Sequence, residues 1–105
     1  MAITSKALFR GAATTTVTTT LYTVPASTKV VITNIAVTNT AATAATFTFS
    51  IGTAATPTAL FTTVAIPANT TIFIDMKQAL IATEVIKGGA SAITVSLHVS
   101  GVEIV

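Results

Sequence analysis

Two stretches of this chain alternate apolar and hydroxyl-bearing side chains residue by residue. Only an extended backbone turns that pattern into two chemically distinct faces. In Thr46-Phe47-Thr48-Phe49-Ser50-Ile51 the side chains of Phe47, Phe49 and Ile51 share one side. In Ile93-Thr94-Val95-Ser96-Leu97-His98-Val99-Ser100 the inward set is Ile93, Val95, Leu97 and Val99. The rest of the chain favours the same conformation, because 24 of its 105 residues are Thr, whose branched Cβ suits strands better than helices.

Weaker signals divide the remainder. Lys29 to Thr38 carries Val31, Ile35 and Val37 on one side and Val30 and Ile32 on the other, which predicts a central strand covered on both faces at its start. Leu60 to Ile66 and Thr70 to Ile74 read as a strand pair joined across Pro67-Ala68-Asn69. Thr16 to Thr23, Glu84 to Lys87 and Val102 to Val105 complete seven or eight short strands. Met76 to Ile81 is the single helix candidate, about one turn long. Gly88-Gly89 predicts a positive-φ turn. Gly101 predicts a bulge or register change, since apolar parity shifts there from odd to even positions. Such spacing predicts an antiparallel β-sandwich, jelly-roll or immunoglobulin-like, as one domain over residues 14–105. Residues 1–13 lack alternation and read as an N-terminal arm.

One motif occurs twice. Val24-Pro25-Ala26-Ser27-Thr28-Lys29-Val30-Val31-Ile32 and Ile66-Pro67-Ala68-Asn69-Thr70-Thr71-Ile72-Phe73-Ile74 share the form [VI]-P-A-[SN]-T-x-[VI]-x-I. Each ends a strand at a proline, reverses through polar residues and starts a new strand. It is either a duplicated unit or one good turn used twice, the second being the simpler reading.

Charge is scarce: 8% of residues carry it, with a net of +2. Ordinary chains carry about three times that fraction. Spread over roughly 5,500 Å² of folded surface, eight charges leave one per roughly 700 Å². Thr, Ala and Ser therefore make up most of the skin, which predicts self-association or burial in a larger assembly. The same scarcity argues against a phosphate-tracking, nucleic-acid-binding surface. The absence of Cys excludes a disulfide scaffold and thiolate metal sites. The N-terminal stretch has Lys6 and Arg10 but no following apolar run of signal-peptide length, and no 18-residue apolar stretch occurs. One Tyr and five Phe fall short of two aromatic girdles, so a membrane barrel is not expected.

Convergent chemistry is hard to assemble from this set. His98 shares a strand face with Ser96 and Ser100, with Glu103 nearby in sequence, but no nucleophile elbow accompanies them. A polar outward face is the plainer reading. Asp75 and Glu84 are separated by nine positions of loop or helix candidate and read as solvated charges. Phe47 and Phe49 lie in a segment without basic residues, which makes them core rather than a base-stacking platform. The Thr runs at 14–16 and 18–20 keep no period beyond the local one, against an ice- or sugar-binding array. No enzyme, metal site or cofactor is predicted.

Leu21-Tyr22-Thr23-Val24-Pro25-Ala26, Val30 to Ile35, Val37-Thr38-Asn39-Thr40, Ile66 to Thr70 and Val99-Ser100-Gly101-Val102-Glu103-Ile104 together resemble the small all-β virion proteins of tailed bacteriophages. That resemblance implies a non-enzymatic structural component, and within the class a capsid decoration, or cement, protein. Its partners would be the major capsid protein and copies of itself, a trimer being one such form, with no nucleic acid and no membrane. Its place would be the capsid surface of a virion assembled in the host cytoplasm. On this reading Ile3, Leu8, Phe9 and Arg10 of the arm are candidate assembly contacts. A tail, baseplate or fibre-associated sandwich is the alternative within phage. A secreted carbohydrate- or ice-binding module is the alternative of another class.

Overall fold

The computed structural model describes residues 3–105, which form eight strands and, among the described residues, no helix. In chain order they are β1 (Ile3–Ala12), β2 (Thr20–Thr23), β3 (Lys29–Asn39), β4 (Ala45–Gly52), β5 (Pro57–Ile66), β6 (Thr70–Leu80), β7 (Val85–Ala90) and β8 (Val95–Ile104). Two four-stranded sheets face each other, ordered β1-β8-β3-β6 and β2-β7-β4-β5. Every ladder is antiparallel. The pairs β1–β8, β2–β7, β3–β6 and β4–β5 nest inside one another, as if one long hairpin were rolled up. This is the jelly-roll arrangement, one of the two sandwich forms the sequence predicts.

The core between the sheets is filled by the alternating strands. Phe47, Phe49, Val95, Leu97 and Val99 are fully buried, as the alternation predicts. The Phe61 ring packs at a tilt 5.7 Å from Phe47 and 6.4 Å from Phe49. Asn39, also fully buried, ties one end of the sandwich together. Its amide nitrogen donates to the Thr43 carbonyl at 2.8 Å, and its side-chain oxygen accepts from the Ala41 N–H at 3.1 Å and the Thr94 hydroxyl at 3.3 Å.

A line of bulges crosses the first sheet. Leu8 on β1 and Thr33 on β3 are extra residues against β8, and Met76-Lys77 on β6 is irregular against β3. The line falls beside Gly101, where the sequence predicts a register change, but the neighbours carry it and β8 runs straight through to Ile104. The expected separate strand over Val102 to Val105 is thus the end of β8. The bulge also corrects the reading of β3. An extra residue at Thr33 puts Val30 and Ile32 on the same core face as Ile35 and Val37, so the strand is covered on one face, not two.

Other expectations change for similar physical reasons. The helix candidate Met76 to Ile81 is the second half of β6 up to Leu80, because pairing with β3 outweighs the helix propensity of Met, Lys, Gln and Leu. Gly88-Gly89 is strand, not turn. A Cβ on Gly88 would sit 2.8 Å from the Thr48 carbonyl oxygen, and one on Gly89 2.7 Å from that of Thr16. These glycines serve close approach rather than left-handed backbone. Leu60 to Ile66 and Thr70 to Ile74 do not pair, since β5 and β6 belong to opposite sheets. Ile93, expected inward, is 70% exposed in the turn before β8. Residues 14–19 form a loop, and the predicted strand over Thr16 to Thr23 is reduced to β2. The loop brackets β7, with the Thr14 carbonyl accepting from the Ala90 N–H at 2.9 Å and the Thr19 carbonyl from the Gly88 N–H at 3.0 Å.

The segment expected as an arm is built into the sandwich over Ile3–Ala12, pairing with β8 from Ile3↔Ile104 to Ala12↔Ser96. Residues 1 and 2 lie outside the described residues. Alternation fails there because the bulge at Leu8 sends two successive side chains, Leu8 and Phe9, toward the core.

Candidate functional site

The four residues singled out on β1 part company in the structure. Leu8 is buried in the core, and Phe9 packs against it. Leu8 is withdrawn from the surface, while Phe9 is half-buried. Ile3 is 64% exposed beside Ile104 on β8. Arg10 is exposed and directly opposite His98.

Ser96, His98 and Ser100 do share the outward face of β8, but Glu103 does not join them. It has the opposite strand parity and lies about 17 Å further along the strand from His98. Its carboxylate accepts hydrogen bonds from the Tyr22 hydroxyl and, at 3.2 Å, from the Lys6 ammonium, which also sits 5.9 Å from the Tyr22 ring centre. Lys6 is on β1, Glu103 on β8 and Tyr22 on β2, so this cluster ties the two sheets along their β1/β2 edge. The Tyr22 hydrogen bond, aided by the Lys6 ammonium, holds the Glu103 carboxyl below its ordinary range. Burial, reinforced by Glu103, pushes the Tyr22 phenol well above its own. Acid and base are driven apart, which fixes the proton on Tyr22 instead of poising it for transfer.

The two other carboxylates are equally separate. Asp75 accepts from the Asn34 amide at 3.2 Å on the outer side of β6. Glu84 accepts from the Ile81 N–H at 2.8 Å in the turn before β7. Among the described residues no group of three His, Asp or Glu side chains is placed to hold a metal ion. The Thr14 and Thr19 hydroxyls are spent on each other at 2.6 Å and on the Thr16 carbonyl. They form a self-contained knot and not a flat array.

What remains is surface. The register of the β1-β8-β3-β6 sheet carries its outward residues across in rows. Arg10, His98, Ala36 and Phe73 form one row, and Ala7, Ser100, Asn34 and Asp75 the next. Beyond the bulge line the rows become mostly apolar: Ser5, Val102, Val31 and Ala79, then Ile3, Ile104 and Lys29, with Ser5 and Lys29 as their polar members. Ile81 and Val105 add apolar surface there at 60% and 64% exposure, beside a groove of about 580 Å³. Phe73, at 73%, is the most exposed large apolar side chain among the described residues and stands on the β6 rim of the polar half. The sequence hides this patch because Val31 looks like a core residue until the bulge at Thr33 reverses parity, and Val102 looks like one if the register is taken to change at Gly101, where β8 in fact runs straight on.

No model of a known protein family matches the chain. No curated protein sequence matches it either. Solved structures do. A chain in the structure of infectious bursal disease virus, Gx strain, superposes with a TM-score of 0.57 at 16% identity, covering 97% of this chain. A chain of the T13 infectious bursal disease virus particle gives 0.58 at 11% identity over 97% of this chain. This chain spans only 29% and 30% of the length of those two. A pentameric capsid protein from metagenomic phage sequences is 14% identical, with 94% of this chain and 59% of that one covered, but its TM-score of 0.36 is too low to bear on the fold. At such identities the likeness establishes an eight-stranded sandwich of a kind that also occurs in virus particles.

Proposed function

We propose that this chain is a structural component of a virus particle and, within that class, a capsid decoration protein of the tailed-phage type. It would sit on the capsid surface and stabilise the lattice of the major capsid protein by non-covalent contact, after assembly in the host cytoplasm. The observation that carries the reading is the jelly roll itself, shared over 97% of the chain with chains of an icosahedral virus particle. A surface with so few charges, with apolar side chains gathered toward one end of one sheet face, supports it further, because such a surface gains by being covered. The Lys6–Glu103–Tyr22 cluster, with its hydrogen bonds running from β1 and β2 to β8, supports a structural tie between the sheets.

The test is electron cryo-microscopy of particles assembled with and without the chain. Density repeated over the shell lattice, with shells that rupture at lower temperature when the chain is missing, is the expected result. Density confined to a tail would replace the decoration role with a tail or baseplate one. A chain absent from every particle would overturn the virion reading.

A further inference from the structure

We propose that the outer face of the β1-β8-β3-β6 sheet is the seat of a second copy of this chain, packed face to face about a two-fold axis parallel to the strands. This inference stands apart from the virion reading.

The argument is one of self-complementarity. A two-fold axis along the strands, lying between two such sheets, preserves the row and exchanges the edges, so β1 of one copy faces β6 of the other and β8 faces β3. The mostly apolar rows then meet each other: Val102 lies over Val31 and Ile3 over Ile81 of the second copy, while Ser5 lies over Ala79 and the Lys29 stem over Ile104, its ammonium reaching the edge of the face. Arg10 on the β1 rim comes to face Phe73 on the opposite β6 rim, within reach of Asp75 one row away. Guanidinium over an aromatic face beside a carboxylate is favourable on both counts. His98 is set over Ala36, a large side chain over a small one. An axis running across the strands would lay the apolar rows on the polar ones and bring β1 rim onto β1 rim.

Size is adequate. The molecule measures 45 × 27 × 18 Å, and the outer face of this sheet is four strands wide, each strand about ten residues long. At about 4.8 Å between strands and about 3.3 Å per residue that face is roughly 19 × 33 Å in projection, comparable to the roughly 800 Å² of accessible surface per partner in a standard stable interface. Sheets pack face to face at about 10 Å and cross at about −30°, so the row match is closest near the centre of the face. With a net charge of only +2 per copy, long-range repulsion between copies is weak.

Sedimentation equilibrium of the full chain should show a dimer at tens of micromolar. Phe73→Glu and Ile81→Glu, both at exposed positions, should each raise the dissociation constant at least tenfold without lowering the melting temperature of the monomer. Val17→Glu, in the loop over the other sheet, should leave it unchanged. The native chain has no Cys, which allows a direct test of the axis. Ser5→Cys combined with Ala79→Cys should give covalent dimers with a short bis-maleimide. Ala79→Cys alone should give none, since the two copies of that position sit on opposite edges, about 14 Å apart across the sheet. A wild-type monomer at these concentrations would overturn the proposal and leave the face to a different partner. So would a dimer sensitive to Val17→Glu but not to Ile81→Glu, or cross-linking by the single variant equal to that of the double.

Discussion

Gly101 shows how a single missing side chain can be required by packing rather than by backbone freedom. Its neighbours leave no room: a Cβ there would lie 2.4 Å from the Val31 carbonyl oxygen and 2.9 Å from Leu8 Cδ1. Gly101→Ala should cost about 3 kcal/mol by forcing β8 away from the bulge line. Gly11→Ala is the contrast, because its Cβ would meet only the Phe9 ring at 3.6 Å, an ordinary contact. It should be neutral or stabilise by about 0.5 kcal/mol through loss of unfolded-state freedom. Denaturant melts of the two variants measure both signs. The Tyr22–Glu103–Lys6 tie predicts a pH dependence of equal clarity. The folded carboxyl of Glu103 titrates below its unfolded value of 4.5, so its contribution is present above that value and drains away as pH falls beneath it. Tyr22 is shifted the other way from 10.0, so the neutral phenol's contribution is intact below pH 10 and lost as pH rises beyond it. Melting curves from pH 2.5 to 7 should show Glu103→Gln losing its deficit against wild type at the acid end, and curves carried above pH 10 should show Tyr22→Phe flattening the alkaline limb. Neither role is legible in the sequence, which offers Glu103 only as a neighbour of His98 on a polar strand face. Five residues of spacing put the two on opposite faces, which the alternation itself already implies.

Elements are legible where burial alternates cleanly and obscure where a bulge interrupts it. β4 and the middle of β8 show period two because one face is core throughout. β1 does not, since Leu8 and Phe9 turn inward in succession, and in sequence it reads as an arm. The repeated proline motif gains its meaning only in three dimensions. Both copies carry the chain from the second sheet to the first, at β2–β3 and at β5–β6. In each the residue before the proline is buried, Val24 and Ile66, and a Thr hydroxyl two residues beyond the alanine closes the turn on its carbonyl. Those bonds are Thr28 to Ala26 at 3.1 Å and Thr70 to Ala68 at 2.9 Å. The residue between has positive φ in both, 56° at Ser27 and 52° at Asn69. Asn occupies that region several-fold more readily than Ser, so Ser27→Asn should raise stability by about 0.5 kcal/mol. Asn69→Val, a branched side chain in left-handed backbone, should lower it by about 2 kcal/mol. Equal and opposite effects of Ser27→Asn and Asn69→Ser would establish that the two turns are equivalent; calorimetry of these and of Asn69→Val decides it.

Alternation tells which face a residue takes but not which strand lies beside it, and for that reason the pairing of the whole molecule escapes the sequence. β5 and β6 are neighbours in the chain yet lie in different sheets, while Ile3 finds its partner at Ile104. The nested order has a consequence for folding. Because β1 and β8 are paired at the chain ends and β4 and β5 at the innermost turn, joining the ends and opening the β4–β5 loop exchanges the roles of outermost and innermost hairpin. Every other pairing changes its separation in a compensating way, so the permuted chain, running β5 to β8 and then β1 to β4, has the same set of strand separations as the original. Folding rates of small domains track the mean sequence separation of contacts. A circular permutant opened between Ala54 and Ala55, in an exposed loop, and closed by a short Gly/Ser linker should therefore form the same sandwich. Its refolding rate in stopped-flow mixing should stay within about tenfold of the parent, although its first-formed hairpin is a different one. A permutant that folds a hundredfold more slowly would mean that the β4–β5 hairpin nucleates the fold and that topology alone does not set the rate. One that fails to fold would mean that continuity through that loop is indispensable to the roll.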